Sequence, residues 1–167
     1  MSQAFTKEGD ASEDLPERPV SSLPNYVTPA GMAKLRAWKD ELLKRHDALR
    51  KKHAPEVETE LKGVLRDLRY VEIRIGSAIL VDRSKDPPAD VRFGATVELS
   101  DGEGVHRWTL VGEDEADAAQ GKLSWSSPLA LALIGAKAGA PVTLPDGKPV
   151  TVVAVLYLRR RFGGEEG

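Results

Sequence analysis

The sequence predicts an α+β protein, in which an N-terminal antiparallel two-helix coiled coil precedes a small antiparallel β domain with one short helix. Three observations carry this expectation. Val57, Leu61, Val64, Leu68, Val71, Ile75 and Ala78 are spaced by alternating four and three residues, as a coiled-coil seam requires. Met32, Leu35, Trp38, Leu42 and Leu49 mark a second amphipathic helix just upstream, and the one strong breaker between the two is Pro55, so the pair folds back on itself. Beyond residue 90, short β-prone runs alternate with turn sequences.

Taken in chain order, residues 1–24 read as a flexible acidic tail, with Glu8, Asp10, Glu13, Asp14 and Glu17 against Lys7 and Arg18 and too little apolar surface to order itself. The helical hairpin occupies 25–81. Thr28 is a good N-cap residue before Pro29 at the first helical position, so the first helix starts there and runs to about Lys52. The second runs from Pro55 to about Ala78, roughly 36 Å at ~1.5 Å per residue. Gly63 lies off the seam. Residues 82–90, DRSKDPPAD, read as a linker. The β domain covers 91–160, with strands expected at Phe93–Leu99, Val105–Val111, Leu123–Trp125, Val142–Leu144 and Val150–Leu158. A short helix, Leu129–Ile134, follows Ser127-Pro128, and residues 161–167 form a C-terminal tail.

The chain has 167 residues, 41% of them hydrophobic, which is enough for a core. Its 24 basic and 26 acidic residues leave a net charge of -2, so no global basic field drives nucleic-acid binding and any such contact is local. Cys is absent, which excludes disulfides, thiolate metal sites and a Cys nucleophile. No apolar run spans a bilayer and MSQAFTKEGD lacks a signal-peptide layout, so a cytoplasmic, membrane-free monomer is expected.

Candidate sites are few. Glu56 and Glu60, four apart on one helical face near Glu58, could offer two carboxylates to a metal. Capping is the preferred reading, because Arg50, Lys51 and Lys52 close one helix where Glu56 opens the next, as both macrodipoles favour. The basic residues of the first helix, Lys34, Arg36, Lys39, Lys44 and Arg45 among them, fit either attraction into an acidic channel or a solvated face. Arg159-Arg160-Arg161 reads as a solvated tail. His46, His53 and His106 show no metal-ligand spacing. Gly102-Glu103-Gly104 reads as a hairpin turn, and Trp108 and Trp125 as core or strand residues. Ser124, Ser126 and Ser127 lack a His and Asp arrangement for nucleophilic catalysis.

FGATVEL, then WTLVGEDEAD, SSPLALALIGAKAG and VTVVAVLYL, following a helical hairpin opened by Tyr26-Val27-Thr28, resemble the Gre (GreA/GreB) transcript cleavage and elongation factors of bacterial RNA polymerase. The resemblance runs from about Asn25 to Leu158. It implies a coiled coil entering the polymerase secondary channel and an FKBP-like β domain gripping the channel rim. By the same resemblance Asp114, Glu115, Asp117, Ser127 and Pro128 are polymerase-binding positions, and Arg50, Lys51, Lys52, His53, Glu56 and Glu60 form a channel-facing tip. One departure bears on chemistry: a standard Gre hairpin is longer and carries an Asp and a Glu in a Gly-Asp…Glu-Asn-Ala-type tip motif, which this sequence lacks. Removing roughly two turns per helix shortens the arm by ~10 Å. Carboxylates ligate Mg²⁺ at about 2.1 Å, so such an arm stops short of the polymerase's second metal unless it sits deeper in the channel. The expectation is a non-enzymatic, cofactor-free regulator of elongation or initiation, in contact with nucleic acid only inside the transcription complex. Three alternatives stand beside it: a protein-interaction module whose hairpin pairs with another coiled coil, a genuine cleavage factor using Glu56 and Glu60 to support the polymerase's Mg²⁺, and an FKBP-like peptidyl-prolyl isomerase. Against the latter, a proline pocket needs an aromatic lining, and only Phe93, Trp108, Trp125, Tyr157 and Phe162 follow residue 90.

Overall fold

The computed structural model describes residues 15–158. They divide into a helical unit, Ala33–Ala78 with the segment up to Pro24, and a β unit, Asn25–Met32 with the chain from Ile79 onward. Among the described residues no helix is long and apolar enough to cross a membrane.

Two helices build the first unit, α1 (Pro29–Arg50) and α2 (Pro55–Ser77). Pro55 starts α2 where its missing N–H costs nothing, Glu56 and Glu58 occupy the first turn, and Arg74 lies in the last turn, each charge matching the helix dipole. The seam is buried at Leu35, Leu42 and Leu49 on α1 and at Val64, Leu68 and Val71 on α2. Lys39 with Glu72, Arg45 with Glu60, and the rings of Trp38 and Tyr70 pair across the helices in antiparallel order. Exposed ion pairs of this kind contribute roughly 0–1 kcal/mol each, so the apolar seam carries the stability and the charges set the register.

In the second unit β1 (Tyr26–Val27) pairs in parallel with β2 (Ile79–Leu80). A five-stranded sheet follows: β3 (Ala95–Ser100), β4 (Val105–Val111), β5 (Lys122–Ser124), β6 (Pro141–Thr143) and β7 (Pro149–Tyr157), in the order β5-β4-β3-β7-β6. The helix α3 (Pro128–Leu133) buries Ala130 and Leu133 against Ala95, Val97, Leu99, Leu110 and Val152. The hairpin between β3 and β4 is fixed by Asp101, whose Oδ1 accepts from the N–H groups of Glu103 and Gly104, both at 2.9 Å. These bonds hold the Asp101 carboxyl down to about 2.

Four features differ from the sequence expectations. The sheet is antiparallel in three of its four pairings, but β4 and β5 run in parallel, Val111 beside Ser124. Residues 25–81 are not all hairpin: Asn25–Met32 and Ile79–Val81 belong to the β unit, tied by ladder bonds such as Val81 N–H to Val27 O at 2.9 Å. Two-residue strands leave no periodicity to read. Within the expected tail, Glu17 and Arg18 are paired to α2 through Arg69 and Asp67, while residues 1–14 lie outside the described residues. At the far end of the 82–90 linker, Asp90 bridges Lys137 and Val91 is fully buried. Arg159-Arg160-Arg161, Phe162 and the C-terminal tail lie outside the described residues.

Two glycines predict opposite responses. A Cβ on Gly112 would sit 2.3 Å from the Tyr26 carbonyl oxygen, so Gly112→Ala is expected to cost about 1–3 kcal/mol in urea unfolding. A Cβ on Gly63 meets nothing, so Gly63→Ala should gain roughly 0.5–1 kcal/mol from helix propensity. The Asp101 carboxyl, lowered in the folded state, contributes stability above the unfolded carboxylate value and loses it as pH falls toward about 2. Urea midpoints of wild type should therefore drop between about pH 4 and pH 2 more steeply than those of Asp101→Asn.

Candidate functional site

The parallel pairing of β4 and β5 brings two loops out of the same end of the sheet. Val111 leads into the Gly112–Asp117 loop and Ser124 into the Trp125–Pro128 turn, and Trp125 N–H donates to Val111 O at 2.9 Å. The sequence-selected residues Asp114, Glu115, Asp117, Ser127 and Pro128 all lie on these two segments. Asp114, Asp117 and Pro128 are exposed.

Glu115 has a different environment from its neighbours. Thr28, the N-cap of α1, accepts at Oγ from Gly31 N–H at 2.9 Å, and its hydroxyl donates to Glu115 Oε1. A Cβ on Gly31 would meet Glu115 Oε1 at 2.7 Å, so this carboxylate lies over the first turn of α1, where exposed N–H groups and the dipole favour an anion. Glu115 is thus held by the fold itself. Asp117 uses its backbone to close the loop, exchanging hydrogen bonds with Lys122 at 2.9 Å in each direction.

Ser127 N-caps α3, its Oγ accepting from Ala130 N–H at 3.3 Å, with Pro128 at the first helical position. The fixed φ of Pro128 and the Ser127 cap set where α3 begins and which residues it turns outward. Leu131, one turn on, is 56% exposed, and Ile134 beyond the helix is exposed as well. Beneath the two loops Tyr26 packs edge-on against Trp125, ring centres 5.2 Å apart, and 5.8 Å from Phe93. The face therefore presents acidic and apolar groups side by side. It contains no arranged nucleophile.

At the other candidate site, the turn between α1 and α2, Arg50, Lys51, Lys52, His53, Glu56 and Glu60 are all exposed. Arg45 from the facing helix holds the Glu60 carboxylate. Glu56 and Glu60 are accordingly not an open pair. Among the described residues no three His, Asp or Glu side chains gather as a metal site would require. A pocket of about 310 Å³ in the β unit is lined by Thr28, Arg83, Thr109, Glu115, Lys122 and Tyr157 among others, and Tyr157 is its sole aromatic. Phe93 and Trp125 pack on Tyr26 and Trp108 packs on the core.

Residues 86–157 match the family described as "Transcription elongation factor, GreA/GreB, C-term". A curated relative, transcription elongation factor GreB of Neisseria meningitidis serogroup A, is 34% identical over 162 residues, covering 81% of this chain and 95% of the relative. The chain belongs to the Gre family. Transcription elongation factor GreA of Rhodopseudomonas palustris is 44% identical over 110 residues, covering 64% of this chain and 68% of that Gre protein. A solved Gre structure, the elongation factor GreA/GreB from Nitrosomonas europaea, is 22% identical with a TM-score of 0.38, covering 81% of this chain and 100% of the other.

Sequence reasoning missed two features of this Gre site. The Thr28–Glu115 bond joins residues 87 apart, and nothing local marks Glu115 out from Asp114 and Asp117. The Tyr26, Phe93 and Trp125 group is likewise drawn from three distant segments. Thr28→Ala is expected to lower stability by about 1–2 kcal/mol, with Thr28→Ser retaining most of it, because Ser keeps both the cap and the bond to Glu115. A double-mutant cycle with Glu115→Ala in urea unfolding should give non-additive losses.

Proposed function

We propose that this Gre-family chain is an RNA polymerase-binding factor that inserts the α1–α2 hairpin into the secondary channel and modulates elongation or initiation with little stimulation of transcript cleavage. It has no catalysis of its own and acts by occluding or reshaping the channel, reaching the polymerase's catalytic centre only under the cleavage-factor alternative. The face carrying Asp114, Asp117, Ser127 and Pro128 is its grip on the polymerase, and Glu115 supports that grip by fixing the loop to Thr28.

The observation that carries the weak-cleavage reading is the hairpin turn. Its carboxylates are Glu56 and Glu58, in the first turn of α2, and Glu60, held by Arg45. Freeing Glu60 for a metal would break that pair and leave Arg45 facing the cation. The match to the Neisseria relative spans 162 positions, more than the 81% of this 167-residue chain that it covers, so the relative has residues within the match that this chain lacks, and this reading assigns them to the arm. At ~1.5 Å per residue the 23 residues of α2 give roughly 34 Å of reach.

The test combines binding with a cleavage readout on backtracked transcription complexes. Wild type should bind polymerase and leave the RNA no shorter than polymerase alone does. Asp117→Lys should weaken binding about tenfold or more by reversing a rim charge, with thermal unfolding unchanged. Metal-dependent shortening of the RNA that disappears in Glu56→Ala or Glu60→Ala would establish the cleavage-factor alternative instead, and failure to bind polymerase at all would overturn the reading.

A further inference from the structure

The helical unit holds a cation between two aromatic rings. The Arg18 guanidinium carbon lies 4.4 Å from the Tyr70 ring centre and 5.1 Å from that of Trp38. The two ring centres are 6.0 Å apart and the planes are tilted by 58°. Nη1 of Arg18 also reaches Oδ1 of Asp67 at 3.4 Å. Trp38 belongs to α1 and Tyr70 and Asp67 to α2, so one guanidinium spans both helices.

The neighbouring residue repeats the attachment. Nε of Arg69 donates to both carboxylate oxygens of Glu17 at 3.0 Å, which holds the Glu17 carboxyl below its ordinary value and raises Arg69. Two ring faces and a carboxylate suit a planar, delocalised cation that can stack and hydrogen-bond at once. A compact ammonium cannot use all three. The backbone of residues 15–24 forms no helix or strand, and Val20 and Leu23 are exposed, while Glu17 and Arg18 tie it to α2 through their side chains.

We propose that Trp38, Tyr70 and Asp67 form a guanidinium-binding site occupied in cis by Arg18, making residues 15–24 a releasable clasp that locks the two helices together. The site rests on the helical unit alone and does not depend on the polymerase reading. The clasp is releasable because the Arg18 side chain is 39% exposed and the Glu17 side chain 61%, so salt and competing cations reach both.

Hydrogen exchange of the full-length protein tests this, following amides of residues 34–42 and 66–74 in wild type, Arg18→Ala, Arg18→Lys and Tyr70→Leu. Arg18→Ala should speed exchange in both stretches about tenfold, the factor for a partly desolvated cation–π contact. Arg18→Lys should do nearly the same, and Tyr70→Leu, which keeps apolar bulk but removes a ring face, should match it. Methylguanidinium at millimolar concentration should restore protection in Arg18→Ala and leave wild type unchanged. Lysine protecting as well as arginine, equal exchange in all four proteins, or methylguanidinium acting alike on wild type and Arg18→Ala would each overturn the proposal.

Discussion

The parallel register of β4 and β5 is the constraint on which the candidate docking face depends. Were this pair antiparallel, β5 would deliver its chain to the opposite end of its three paired residues, roughly 10 Å away along the strands. Ser127 and Pro128 would then part company with Asp114 and Asp117. Parallel neighbours need a crossover, and residues 112–121 make it with little helix, through a 3-10 turn at Ala118–Gln120 and the Asp117–Lys122 bridge. Gly112 makes the crossover possible at its start. Only a residue without a side chain can pass the Tyr26 carbonyl at that distance, and the same contact fixes where the loop leaves the sheet.

The parts of the molecule legible in the sequence are those encoded by local periodicity. The α2 seam announces itself because a helix repeats its buried face every three or four residues, and Val64, Leu68 and Val71 are buried accordingly. Thr28 before Pro29 is equally local, since a cap acts within its own helical turn. The β4–β5 pairing is not, because three residues of β5 contain too little pattern to specify a direction. Arg18 is the sharpest failure of composition as a guide. A polar, proline-containing stretch cannot build a core, yet one arginine finds two rings and an acid 20 to 52 residues away, and no windowed measure of hydrophobicity registers that.

At the hairpin turn, charge placement and chemistry compete for the same carboxylates. Acids at the start of α2 stabilise it through the dipole, and the basic end of α1 lies beside them. Glu60 then pairs with Arg45, which strengthens antiparallel pairing and removes one oxygen pair from any metal. A tip meant to hand carboxylates to an ion would have to keep cations away from them. Here Arg45 pairs with Glu60, and Arg50, Lys51 and Lys52 close α1 just before Glu56 opens α2.

The acidic loop shows how a single run of like charges divides into scaffold and surface. Four acids in the five positions 113–117 repel one another, and folding relieves part of that repulsion by seating Glu115 over the positive N-terminus of α1. Glu115 reaches the Thr28 hydroxyl from a turn closed by Glu115 N–H to Gly112 O. The anion over Thr28 therefore determines the loop's conformation, and that conformation determines which acids face outward. A protein that grips a partner through this loop must hold it still beforehand, because each loop residue ordered at the moment of binding subtracts from affinity. The Thr28–Glu115 contact supplies that preorganisation from inside the β unit.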